Sequence, residues 1–112
     1  MNFSVRRTKR FTRSFKRLNK RYKKLADDYK KLVDVLEVGN HNAIEITKNI
    51  YKIRLQNTSN PKGKSGGFRV VYFLKTKENT LYLLDIFSKN EISSIKKDKL
   101  IQMALEQQLI TK

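Results

Sequence analysis

The 112-residue sequence contains no cysteine, no tryptophan, one histidine and one proline. Without thiols, neither disulfides nor thiolate zinc sites can brace the fold, so the hydrophobic core has to suffice and a reducing compartment is compatible. A lone histidine, His41, supports neither serine-histidine chemistry nor a histidine metal cluster, and its place just past a helix end suits capping or solvent. No run reaches the ~18 apolar residues of a membrane span, and the basic N-terminus leads into no apolar signal-like stretch. A cytoplasmic protein with no membrane partner is expected. Acids are scarce as well: 10 Asp and Glu stand against 26 Lys and Arg, a formal charge of +16. Solubility requires far less, so a polyanionic partner is the default inference, with phosphate backbones ahead of an acidic protein or an anionic surface.

What remains is enough for one core and one domain spanning residues 1–112. Phe3 and Val5 alternate with polar neighbours, as in a short first strand. From Phe11 the apolar residues Phe15, Leu18, Tyr22, Leu25, Tyr29, Leu32 and Leu36 follow at steps of three or four, one stripe of a helical surface over residues 11–37. No Gly or Pro marks a break, so one long helix and a pair breaking near Asn19 to Lys24 both fit, with Val38, Gly39 and Asn40 as the stop. The period then changes to two: Tyr51, Ile53 and Leu55 point one way while Lys52 and Arg54 point the other. A polar connector from Gln56 to Gly67 holds three of the four glycines. Two β-prone runs, Phe68 to Lys75 and Thr80 to Ser88, flank a Lys-Glu-Asn turn and predict a hairpin. From Ser93, a candidate N-cap, Ile95, Leu100, Ala104, Leu105 and Leu109 outline a closing amphipathic helix. The order predicts an α+β domain with an antiparallel sheet.

Eleven Lys and Arg fall in the first 24 residues with no acid among them. Such a run is either a solvated helix face or a nucleic-acid docking surface; the latter reading includes Lys16 and Lys20. Gly63-Lys64-Ser65 shares the end of a nucleotide-binding phosphate loop, but Thr58 stands where that loop needs glycine and a strand is predicted where it needs a helix. Asp85, inside an apolar strand, reads as a hydrogen-bonded structural acid. The chemistry left is cationic: Lys52 and Arg54 before the loop, Lys64 within it, Arg69 after it and Lys89 past the hairpin can line one face that takes phosphate, the alternative being scattered surface cations.

Three blocks, Ile50-Tyr51-Lys52-Ile53-Arg54-Leu55, Gly63-Lys64-Ser65-Gly66-Gly67-Phe68-Arg69-Val70-Val71-Tyr72 and Leu83-Leu84-Asp85-Ile86-Phe87-Ser88-Lys89, resemble the RelE/HigB toxins of type II toxin-antitoxin systems in the RelE/ParE superfamily. The resemblance spans nearly the whole chain, and the Gly-Lys-Ser-Gly-Gly-Phe-Arg block is its most specific part. It implies a RelE-like fold, two N-terminal helices packed on a four-stranded, mainly antiparallel sheet plus a C-terminal helix. It also implies a metal- and cofactor-independent endoribonuclease that cuts mRNA in the ribosomal A site and an antitoxin as cognate partner; the charge of this chain suits an acidic one. Carried over by position, the catalytic residues fall on Arg54, Lys64, Arg69 and Lys89, with Lys52 as a weaker RNA contact. Phe87 departs from the family, where a tyrosine often precedes the Ser-Lys pair; phenylalanine stacks on a base but moves no proton, and Tyr72 is the candidate to compensate. Two rival readings stay open: a ParE-like toxin acting on DNA gyrase, and a non-catalytic basic nucleic-acid binder.

Overall fold

The computed structural model describes residues 2–39, 42–59, 67–88 and 96–110. Strand β1 (Ser4–Arg7) passes directly into helix α1 (Lys9–Arg21), and Thr8 makes the switch. Its hydroxyl accepts from the Phe11 N–H and donates to the Leu83 carbonyl at 2.8 Å, so one side chain both caps the helix and fastens it to the sheet. The apolar stripe is real but belongs to two helices, because Tyr22 is extended (φ −112°, ψ 98°) and α2 runs from Leu25 to Val38. The break carries no glycine or proline; instead the Lys24 N–H donates to the Ser59 hydroxyl at 2.8 Å, a partner from beyond β3 that captures an amide at the helix start. α2 ends where expected, on Gly39 at φ +82°.

Strand β2 (Ile44–Thr47) precedes β3 (Ile50–Leu55), β4 (Phe68–Lys75) and β5 (Thr80–Ser88), and helix α3 (Lys97–Glu106) closes the described chain. The sheet is five-stranded, in the order β1-β5-β4-β3-β2, antiparallel except for the β1–β5 pair. It therefore has one strand more than the sequence predicts. β2 is short, lies at the edge and leaves Ile44 largely exposed, so it lacks the half-buried alternation that announces β3. The predicted hairpin has the predicted ends, with Thr76–Glu78 forming a 3₁₀ turn and Asn79 left-handed.

The sheet separates two cores. On one face Ile53, Leu55, Phe68, Val70, Tyr72, Leu81, Leu83 and Ile86 meet the α1 and α2 stripe; on the other Ile50, Val71, Phe73 and Leu84 meet Leu100, Met103 and Ala104 of α3. α3 ends at Glu106, so Leu109 lies beyond it, while the N-cap expected at Ser93 falls outside the described residues. Among the described residues no helix is long and apolar enough to cross a membrane.

Candidate active site

Three predicted site residues form a row across one end of the sheet. Arg54 on β3 pairs in register with Arg69 on β4, and Arg69 pairs with Phe87 on β5. Strand neighbours in register stand ~5 Å apart and share a face. By alternation that face is the one α3 packs on, opposite α1 and α2. Lys52 stands on the same face one row further in, opposite Val71. Arg54 and Lys52 are exposed; Arg69 and Phe87 are half-buried, and one Arg69 amine donates to the Phe68 carbonyl at 3.3 Å. Two arginines directly opposed on neighbouring strands cost stability through repulsion.

Phe87 reaches this face only because β5 carries a bulge. Tyr72 pairs with Leu83 and Val71 with Asp85, so Leu84 has no partner on β4. Before the bulge the odd residues Leu81 and Leu83 face the helices α1 and α2; after it Ile86 does, and Phe87 turns to the Arg69 side.

Tyr72 corrects a sequence expectation. It lies three residues from Arg69 on a strand of period two and therefore points to the opposite face, where it is 2% exposed and stacks on Tyr51 at 5.3 Å between ring centroids. Burial, with the neighbouring Tyr51, pushes its phenol well above the usual range. A ring so buried has no surface on which an RNA base could stack. Lys16 and Lys20 are exposed on α1, on the helical side of the sheet and apart from the arginine row. α1 does run toward the same sheet end: Tyr22, next to its C-terminal turn, sets its ring edge-on to Phe68 at 5.1 Å, which brings Lys20 to that end. Lys64, Lys89 and His41 lie outside the described residues; in sequence, Lys89 follows Ser88, the last residue of β5.

The base of the polar loop is held by a residue that the sequence reading left without a role. Asp28 on α2, 2% exposed, accepts from the Thr58 N–H at 3.0 Å and from the Thr58 hydroxyl at 2.6 Å. The Ser59 N–H donates to Asn57, completing a folded start to the loop. At its other end Gly67 is left-handed and packs against the Leu55 carbonyl. A partner thirty residues away leaves no local signature; only an acid in the first helical turn hinted at Asp28.

Asp85 is the structural acid expected from sequence. Its carboxylate accepts from the Ile86 N–H at 2.9 Å and lies 3.8 Å from Arg10 of α1, which also bridges to Glu106 of α3 at 2.8 Å. Burial pushes its pKa up, against the opposing pull of the Ser14 hydroxyl, the Ile86 amide, Arg10 and Arg17. Among the described residues no three Asp, Glu, His or Cys side chains gather as metal ligands do.

A family description, the RelE toxin of the RelE/RelB toxin-antitoxin system, matches residues 7–110. The chain belongs to the RelE toxin family. Solved structures agree on the fold. A mutant of E. coli toxin RelE in the free state superposes with a TM-score of 0.60 at 18% identity, over 95% of this chain and 97% of that one. The RelBE toxin-antitoxin complex of E. coli matches with a TM-score of 0.53 at 21% identity, over 75% of this chain and 93% of that one. The archaeal RelE-RelB complex from Pyrococcus horikoshii matches with a TM-score of 0.52 at 18% identity, over 82% of this chain and 100% of that one. At these identities the superpositions speak to architecture, and the RelE fold predicted from the sequence is the one found.

Proposed function

We propose that this RelE-family protein is a cytoplasmic endoribonuclease that cuts mRNA on the ribosome and is restrained by an acidic antitoxin. The observation that carries the reading is the Arg54–Arg69–Phe87 row: two permanent cations side by side with an aromatic ring at the sheet end from which the Lys64 loop and Lys89 continue. RNA brings its own nucleophile, so the protein has to align a 2′-hydroxyl with the adjacent phosphorus, neutralise the charge that develops and manage two protons. Arg54 and Arg69 hold the phosphate oxygens through forked donors and never lose their charge. Phe87 stacks on a base. Proton transfer falls to Lys64 and Lys89, since an ammonium can give up its proton whereas a guanidinium stays protonated. Neither metal nor cofactor enters the scheme.

Proton transfer by a side chain supplies about 10² to 10⁴ in rate, and no histidine or carboxylate pair stands in the row to add to it. Alignment therefore has to come from elsewhere, and a ribosome presenting a strained, ordered codon supplies it. The exposed cations of α1, with Lys16 and Lys20 among them, contact ribosomal or messenger RNA backbone. Relatives have been solved with their antitoxins, and a +16 chain suits an acidic partner that associates quickly and in a salt-dependent way. The test compares ribosome-engaged with free mRNA in a purified translation system. Cuts confined to the engaged message support the proposal; equal cutting of free mRNA removes the ribosome from it, and mRNA left intact in both states removes the nuclease.

A further inference from the structure

The β5 bulge leaves one question open: what holds an extra residue in place in the most buried strand of the sheet. Asp85 stands at that point, paired with Val71 immediately after the unpartnered Leu84. It is 4% exposed in a strand otherwise apolar from Leu81 to Phe87 apart from Tyr82. Its carboxylate occupies the N–H of Ile86, the residue that resumes the regular ladder after the bulge, at 2.9 Å. On its other side it meets Arg10 at 3.8 Å and the Ser14 hydroxyl, two α1 residues one helical turn apart. β1 pairs only with Thr80 to Leu83, so α1 takes over along β5 from the bulge onward. A buried carboxylate with one loose ion pair adds little net stability, because desolvation offsets the attraction. Its value lies in geometry.

We propose that Asp85 is a positioning residue of the cationic site: tied to α1, it holds the bulge that turns Phe87 onto the face of Arg54 and Arg69. The inference rests on the RNA-cleaving reading for its functional consequence and on the fold alone for its structural one. Without the bulge, strict alternation returns Phe87 to the α1 side and Ile86 to the Arg69 side.

Two measurements keep these parts separate. The first reads nuclear Overhauser contacts between the Phe87 ring and the Arg69 side chain in the free protein. They persist in Asp85→Asn, which keeps an acceptor for the Ile86 amide, and are lost in Asp85→Val. The double variant Arg10→Gln with Ser14→Ala removes two of the α1 side chains that act on the carboxylate, leaving Arg17, without altering the strand, and weakens the same contacts. Unchanged contacts in whichever of these last two folds overturn the proposal. The second is a double-mutant cycle on ribosome-dependent cleavage. Asp85→Val lowers kcat by about tenfold to a hundredfold, the effect of ångström-scale misplacement, and costs nothing further once Phe87→Ala is present. Equal losses in both backgrounds show a merely structural role and overturn the proposal. If the wild type cuts no RNA, the nuclease reading falls, while the ring contacts still decide the role of Asp85.

Discussion

Gly67 joins the polar loop to β4 at φ +60°, and a Cβ built there lies 2.2 Å from the Leu55 carbonyl oxygen, where ordinary contact starts at 3.4 Å. The overlap of more than an ångström falls on backbone that cannot rotate aside, since Leu55 is paired in the ladder with Phe68. A left-handed backbone costs a non-glycine residue roughly 1–2 kcal/mol, and relieving a steric overlap in a packed region adds about 1–3 kcal/mol. Gly67→Ala is therefore expected to lose roughly 2–5 kcal/mol of a typical total of about 5–15 kcal/mol. At about 4 °C or more per kcal/mol for a domain near this size, the Tm drops by at least ~8 °C. Gly39→Ala is the control. Its φ is +82°, but its Cβ meets the edge of the half-buried Phe3 ring, which can turn away, so only the backbone cost of roughly 1–2 kcal/mol applies. Urea denaturation of both variants tests the order. The displacement at position 67 also passes to Arg69 two residues on, so cleavage per folded molecule falls by up to about a hundredfold. A Gly67→Ala protein as stable as wild type, or no less stable than Gly39→Ala, refutes the reasoning.

Asp28→Ala strands the Thr58 amide and hydroxyl, and bonds to a charged acceptor are worth about 1.5–3 kcal/mol; hydrogen exchange should show the Thr58 amide losing protection ahead of the α2 interior, and unchanged exchange contradicts the tether. Opposed like charges on neighbouring strands cost roughly 0.2–1 kcal/mol, so Arg54→Met should match or exceed wild-type stability by that amount at low salt. Any gain should vanish near ~1 M salt, where the Debye length is about 3 Å, and a clear loss at low salt contradicts the repulsion. Asp85 has a folded pKa raised above its ordinary 3.8, so the native state binds the proton more tightly and this group favours folding at low pH. That contribution is lost as pH rises through the folded pKa. The stability of Asp85→Asn relative to wild type should therefore improve as pH rises above ~4, and a flat difference between denaturation curves contradicts it.

Elements whose burial is decided by local periodicity were legible in the sequence. The stripe from Phe11 to Leu36, the alternation in β3 and the two hairpin strands each carry their pattern within a few residues. Features set by distant partners were not. The Lys24 amide at the helix break is met by Ser59, the loop base is held by Asp28, and the edge strand β2 is too exposed to show a face. In the site, Arg54 and Arg69 could be placed together because each sits at the right parity on strands flanking one loop. Tyr72 could have been removed from it by the same rule, as an odd step separates it from Arg69. Phe87 reaches the arginine face for a reason parity alone would have denied, the bulge at Leu84.

The most direct test of the central claim is to map mRNA 3′ ends by primer extension in a translating extract, comparing wild type with Arg69→Ala. Discrete cuts that require translation and disappear in the variant, with its fold intact by circular dichroism, are the expected result. Cuts that persist undiminished without Arg69, or mRNA left whole by the wild type, contradict it.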